Sequence, residues 1–180
     1  MTRGFRLLDE EVVHRGRAFS TVVARFEAPD GSRFTRDLVR HRGAVGVVPL
    51  DGDEVVLVRQ YRAPVDREVL EIPAGIRDVD GEDPEDTARR ELVEEAGLEA
   101  GSVRYLTRYL TGAGFTDEEL WLYVAEDLTE VPRAADGIEE GAMTIERMPL
   151  VEAVAATADG RIVDAKTVIA LLLVGRDRGL

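Results

Sequence analysis

From Asp83 to Gly97 the chain carries the full set of local signals for one short helix, and strand-like segments stand on both sides of it. Asp83 is a capping residue, Pro84 suits a first turn, Glu85 and Asp86 complement the helix dipole, and Gly97 suits the left-handed residue that ends a helix. Upstream, Arg17–Glu27 and Ser32–Val39 alternate loosely around Pro29-Asp30-Gly31 and predict a hairpin. The β-branched runs Ala44–Leu50 and Glu54–Gln60 flank Asp51-Gly52-Asp53, a second hairpin signal, and Glu68–Ile72 is a short strand closed by Pro73 and Gly75. Downstream, Val103–Leu110, Glu119–Ala125 and Ile145–Met148 read as strands, and Leu150–Thr157 and Ala165–Val174 as helices. Helices inserted among strands exclude an all-helical or all-β chain and predict an α+β architecture.

A chain of 180 residues suits one main domain, with the N-terminal hairpin as a small β region over residues 1–42 and the main domain over 43–180. The charge balance, 23 Lys+Arg against 36 Asp+Glu for a net −13, argues against nucleic acid or an anionic membrane as a partner. It also sets a problem for any phosphorylated ligand, which such a chain binds poorly unless cations intervene. Absence of cysteine excludes disulfides, thiolate metal sites and cysteine nucleophiles. The first residues lack a signal-peptide pattern, and the apolar run Val168–Val174 is too short to span a bilayer, so a cytoplasmic protein is expected.

The helix itself is unusually acidic. Arg90 and Glu94 are spaced to pair, but Glu91 and Glu95 are also four apart, where like charges cost about 0.2–0.5 kcal/mol. Ala88, Leu92 and Ala96 mark the buried stripe, and Glu91 and Glu95 lie on its flank. Carboxylates gathered at the edge of a core are what a hard, oxygen-seeking cation requires. Spacing alone leaves both a metal site and a solvated acidic face open.

The wider segment runs from Gly75 through Glu82, seven further residues, then Arg90-Glu91-Leu92-Val93-Glu94-Glu95-Ala96-Gly97-Leu98. It resembles the Nudix box, G-x5-E-x7-R-E-U-x-E-E-x-G-U with U a bulky aliphatic residue. The one departure is an extra residue between Gly75 and Glu82, which lengthens the loop and leaves the helix register intact. Val58-Arg59-Gln60-Tyr61-Arg62, Glu71-Ile72-Pro73-Ala74-Gly75, Gly137-Ile138-Glu139-Glu140 and Gly160–Lys166 are similar to the ADP-ribose pyrophosphatase branch, in its actinobacterial form.

That resemblance implies a Nudix-type α/β/α sandwich with a mixed sheet, and a pyrophosphohydrolase dependent on Mg2+ or Mn2+, two or more ions per site. Glu91, Glu95, the Ala74 carbonyl and, as a further ligand, Glu94 are the implied metal donors. Gly75, Glu82 and Arg90 are expected to shape the loop and orient carboxylates. Glu95 is also expected to act in catalysis, with a late-loop glutamate as base: Glu140, matched to the family pattern in preference to Glu139. Arg36, Arg62, Ile76, Gly112, Gly114 and Glu118 are the implied substrate contacts, with Glu118 able to reach across a homodimer whose N-terminal β region is exchanged. Trp121, at strand spacing beside Leu120 and Leu122, reads as core rather than as an adenine platform.

The implied reaction splits ADP-ribose into AMP and ribose 5-phosphate. Other nucleoside diphosphate sugars, ADP-glucose or GDP-mannose, share the diphosphate that the box handles. A non-catalytic nucleotide sensor on the same fold is the reading from another class, and retention of Glu91, Glu94 and Glu95 counts against it.

Overall fold

The computed structural model describes residues 4–134 and 141–180. The chain divides into two compact units, one of Met1–Gly43 with Tyr109–Leu120, the other of Ala44–Arg108 with Trp121–Leu180.

In the first unit, strands β1 (Arg6–Arg15), β2 (Phe19–Glu27) and β3 (Arg33–His41) form an antiparallel sheet in the order β1-β2-β3. The expected hairpin is β2–β3, turned at Gly31 (φ +82°). Strand β1 was not foreseen, and its residues are almost all exposed. Val22 and Ala24 supply buried positions, and Phe26 stacks on Phe34 at 5.4 Å. The Thr111–Glu118 loop joins this sheet: the Val39 N–H donates to the Phe115 carbonyl (2.8 Å), and Arg40 pairs with Asp117 (3.1 Å).

The second unit is built on a seven-stranded sheet in the order β10-β5-β4-β9-β8, with β6 on β5 and β7 on β4. The strands are β4 (Ala44–Asp51), β5 (Glu54–Arg62), β6 (Arg67–Glu71), β7 (Ala74–Ile76), β8 (Leu98–Leu110), β9 (Glu119–Glu130) and β10 (Thr144–Pro149). Three helices are described: α1 (Pro84–Ala96), α2 (Leu150–Asp159) and α3 (Ala165–Asp177). Helix α1 packs on β4, β5 and β7, where Ala88, Leu92 and Ala96 meet Val45, Val47, Val56 and Tyr123. The intervening residues Val48, Val55 and Leu57 are equally buried, and α2 and α3 pack on β5, β10 and β4. Helices on both faces explain why β4 and β5 read as continuous apolar runs rather than alternating ones. No helix among the described residues is long and apolar enough to cross a membrane.

Helix α1 begins and ends where its signals place it. The Asp83 carboxylate accepts from the Glu85 N–H (2.9 Å), and Gly97 closes the helix at φ +65°. The segment from Pro73, expected as a turn, instead forms the short strand β7. Ala74, Gly75 and Ile76 pair with Gly46, Val45 and Ala44, and the Val47 N–H donates to the Pro73 carbonyl (2.9 Å). This strand brings the backbone before the helix directly against α1.

Candidate active site

The site is built where β7 meets α1. Glu91 and Glu95 face inward from consecutive turns, at 7% and 5% exposure. Carboxylates so enclosed require specific partners. The Ala74 N–H donates to Glu95 Oε2 (2.8 Å). At the next residue the fit is closer still: a Cβ on Gly75 would fall 2.0 Å from the Glu91 carboxyl carbon. No residue with a side chain fits there without displacing Glu91, which is the physical reason for glycine at this point in the chain.

Arg90 ties the acidic groups together. Its Nη1 donates to Glu91 Oε1 (2.8 Å) and Glu94 Oε2 (3.0 Å), and its Nη2 lies 3.4 Å from Asp78 and 3.5 Å from Glu82. Glu82 also accepts from the Thr87 hydroxyl (2.7 Å), which fastens the loop to the first turn of α1. Burial, reinforced by the neighbouring Glu95 and Glu94 charges, outweighs Arg90 and pushes the Glu91 carboxyl up to about 8. A cation would reverse that balance and hold Glu91 ionised.

The candidate donors expected from the sequence, Glu91, Glu94, Glu95 and the Ala74 carbonyl, would offer only oxygens, a set that suits magnesium or manganese rather than a soft metal. Among the described residues no three acidic or histidine side chains form a ready-made cage. Glu95 is turned to the Ala74 N–H and Glu94 to Arg90. Magnesium commonly takes only one or two carboxylates and completes its shell with water and substrate phosphates, so the donor set fits it without such a cage.

The other expected site residues have separate surroundings. Arg62 grips the buried Glu71 with both arms of its fork, at 2.7 and 2.6 Å, and that pairing holds its guanidinium protonated. Ile76 is half-buried on β7, paired with Ala44. Trp121 packs against the α1 cluster, with the Arg77 and Arg108 guanidiniums over its ring at 5.7 and 5.1 Å.

In the first unit, Arg36 is exposed on β3, over the Phe34 ring at 4.7 Å and donating to the Thr35 carbonyl. Gly112, Gly114 and Glu118 lie together on the Thr111–Glu118 loop. A Cβ at Gly112 would meet the Phe115 ring at 2.6 Å, whereas Gly114 faces open space. Glu118 accepts from the Thr111 hydroxyl (2.5 Å). A cleft of about 310 Å3 opens beside this loop, lined by Leu38, Arg40, Leu110, Phe115 and Asp117. Glu139 and Glu140 lie outside the described residues.

Sequence reasoning assigned no role to Glu71 and its partner Lys166 on α3, or to Asp164 and Thr167 beside that pair. One signal was available: a lone carboxylate between Leu70 and Ile72, in a strand that is otherwise apolar at its end, requires a buried cation.

The family model for the NUDIX domain matches residues 40–171. The chain belongs to the Nudix family. Several relatives of this Nudix hydrolase are similar over nearly the whole chain. A methanol dehydrogenase activator of Bacillus methanolicus is 38% identical over 92% of this chain and 90% of its own length. An ADP-ribose pyrophosphatase of Mycobacterium tuberculosis is 37% identical over 94% of this chain and 83% of its own. Among solved structures, an ADP compounds hydrolase superposes with a TM-score of 0.84 at 27% identity, covering 97% of this chain and 96% of that one. The α/β sandwich with its N-terminal antiparallel sheet is the Nudix hydrolase fold.

Proposed function

We propose that this Nudix hydrolase cleaves the diphosphate bond of ADP-ribose to AMP and ribose 5-phosphate, with Mg2+, or Mn2+ in its place, held by Glu91, Glu95, Glu94 and the Ala74 carbonyl. The observation that carries the reading is the docking of β7 on α1, which packs two enclosed carboxylates against one short strand. Relatives that act on ADP-ribose and other ADP compounds support the substrate class. When bound, such ions neutralise phosphate charge and lower the pKa of a bound water. The chain's own residues do the rest. Arg90 aligns Glu91 and Glu94, the Ala74 N–H aligns Glu95, and Gly75 leaves the space that Glu91 occupies. Glu140, with Glu139 as the alternative, accepts the proton of the attacking water. Arg36, Arg62, Ile76, Gly112, Gly114 and Glu118 are proposed as substrate contacts. Two copies are proposed to associate through the N-terminal β region, and the enzyme to work in the cytoplasm.

The test is product analysis over ADP-ribose, ADP-glucose and GDP-mannose with magnesium present. AMP and ribose 5-phosphate from ADP-ribose should form fastest. Glu91→Gln and Glu95→Gln should each lower kcat at least about a hundredfold while the fold persists, because each keeps the side chain's shape and removes a ligand charge. Faster turnover of a guanosine or glucose compound would move the substrate assignment. Binding without turnover of any would favour a sensor.

A further inference from the structure

Placement of the Glu71–Gly75 segment decides where Glu91 and Glu95 can lie. Ala74 must present its N–H to Glu95, and Gly75 must sit where even a methyl group would strike Glu91. One side of this segment is fixed by the β4 ladder. The other side is held by the first turn of α3, far away in sequence.

Thr167, fully buried, accepts the Ile72 N–H on its hydroxyl oxygen (3.0 Å). The same hydroxyl donates to Asp164 Oδ2 (2.6 Å), the capping carboxylate of α3, which also accepts the Thr167 N–H (3.0 Å). The hydroxyl proton is thereby committed to Asp164, and its oxygen is left to Ile72. One residue earlier, the buried Glu71 carboxylate meets the Lys166 ammonium, which also lies 3.1 Å from Asp164, and the fork of Arg62. Burial pushes the Glu71 carboxyl up, but the two cations outweigh it and hold the group below its ordinary range. Buried ion clusters of this kind seldom add net stability over a well-packed apolar substitute. What this one adds is location.

We propose that Thr167 and Lys166 are positioning residues of the hydrolase: through Ile72 and Glu71 they clamp the strand that sets Glu95 and makes room for Glu91. The inference rests on the reading of Glu91 and Glu95 as metal donors given above. Thr167 bonds the Ile72 N–H and Lys166 the Glu71 carboxylate, so each acts through one backbone segment.

The test compares Thr167→Val, which keeps shape but loses the hydroxyl, with Thr167→Ser, which keeps the hydroxyl. Lys166→Met, which keeps the stem and loses the charge, supplies a second arm should the valine variant fail to fold. Val174→Ala, a fully buried change two turns further along the same helix, is the stability control. Each full-length variant is measured for melting temperature, for kcat and KM on ADP-ribose, and for binding of Mn2+ alone by the loss of its free paramagnetic signal. Loss of an orienting group usually costs about 10–100-fold in metal affinity or activity. Thr167→Val and Lys166→Met should fall in that range in kcat and Mn2+ affinity with KM little changed, and Thr167→Ser should match the parent. Val174→Ala should lose stability and keep kcat. Clamp variants that are folded and unchanged in kcat and Mn2+ affinity would overturn the inference, as would parallel loss of kcat in Val174→Ala. Glu91→Gln separates the two levels: near-normal turnover there sinks the donor reading and the clamp with it. Its loss beside intact clamp variants sinks the clamp alone.

Discussion

Two residues of the second unit show how tightly single atoms constrain the chemistry. At Gly75 the obstacle is contact, since the built Cβ lies 2.0–2.3 Å from all three carboxyl atoms of Glu91. Gly75→Ala should therefore push Glu91 aside, lowering kcat by about a hundredfold or more, while costing about 1–3 kcal/mol as overpacked cores do. Kinetics beside a denaturant titration checks this; an alanine variant of normal kcat would mean that Glu91 moves freely. Glu71 makes a different prediction. Its carboxyl is held below the ordinary 4.5 in the folded chain. Its contribution to stability is therefore complete above about 4.5 and is lost as pH falls through the lowered folded value. Glu71→Gln should flatten that acid limb. At neutral pH it should destabilise by about 3–5 kcal/mol, because Arg62 and Lys166 lose a buried partner. Melting curves from pH 3 to pH 8 for parent and variant provide the comparison.

Elements were legible where their signals are local. Helix α1 is written in Asp83, Pro84 and Gly97, and α3 in its cap and apolar run, because caps and periodicity act within a turn or two. Strand β1 was not, since Arg6–Arg15 neither alternates nor buries a face; backbone pairing to β2 and exposed ion pairs such as Arg25–Asp9 (2.6 Å) hold it. Strand β7 was masked by Pro73 and Gly75, which signal a turn, while the pairing that overrides them comes from β4. Site residues divide in the same way. Glu91, Glu94, Glu95 and Arg90 lie within one helix and share a spacing, whereas the Glu71–Lys166 contact joins residues that only the fold brings together. Gly97 tests the local side of this division. At φ +65°, with a built Cβ 2.8 Å from Arg133 Cγ and 2.9 Å from the Val131 carbonyl, it should resist alanine. Gly97→Ala should cost about 1–2 kcal/mol, the usual penalty of the left-handed region. Its kcat should hold where the protein is folded, because Glu91 and Glu95 are fixed from the β7 side. A large fall in kcat would show that the helix end also sets the carboxylates.

For the whole molecule the open question is association. The first unit exposes Phe5 before β1, Leu7, Val12 and Val13 on β1, and Phe19 at the start of β2. A second copy is the proposed cover, and the charge of the chain gives that proposal a signature. Each copy carries a net −13, so two approaching copies repel, while the apolar contact between them does not weaken with salt. Raising ionic strength from about 0.01 to 0.15 M shortens the screening length from about 30 to 8 Å, so the dimer should tighten with added salt. An interface held by ion pairs would loosen instead. Removing the N-terminal residues is a poor test, because the Thr111–Glu118 loop depends on them through Val39 and Arg40. Val13→Glu is cleaner: its side chain is 60% exposed, so the change should leave the fold intact and add a charge where the partner would sit. Sedimentation at assay concentration should show a parent dimer that strengthens with salt and a Val13→Glu monomer. If Arg36 or Glu118 serves the partner's substrate, the monomer should also show a raised KM for ADP-ribose with its Mn2+ affinity unchanged. A parent chain that sediments as a fully active monomer at every salt concentration would rule out the association.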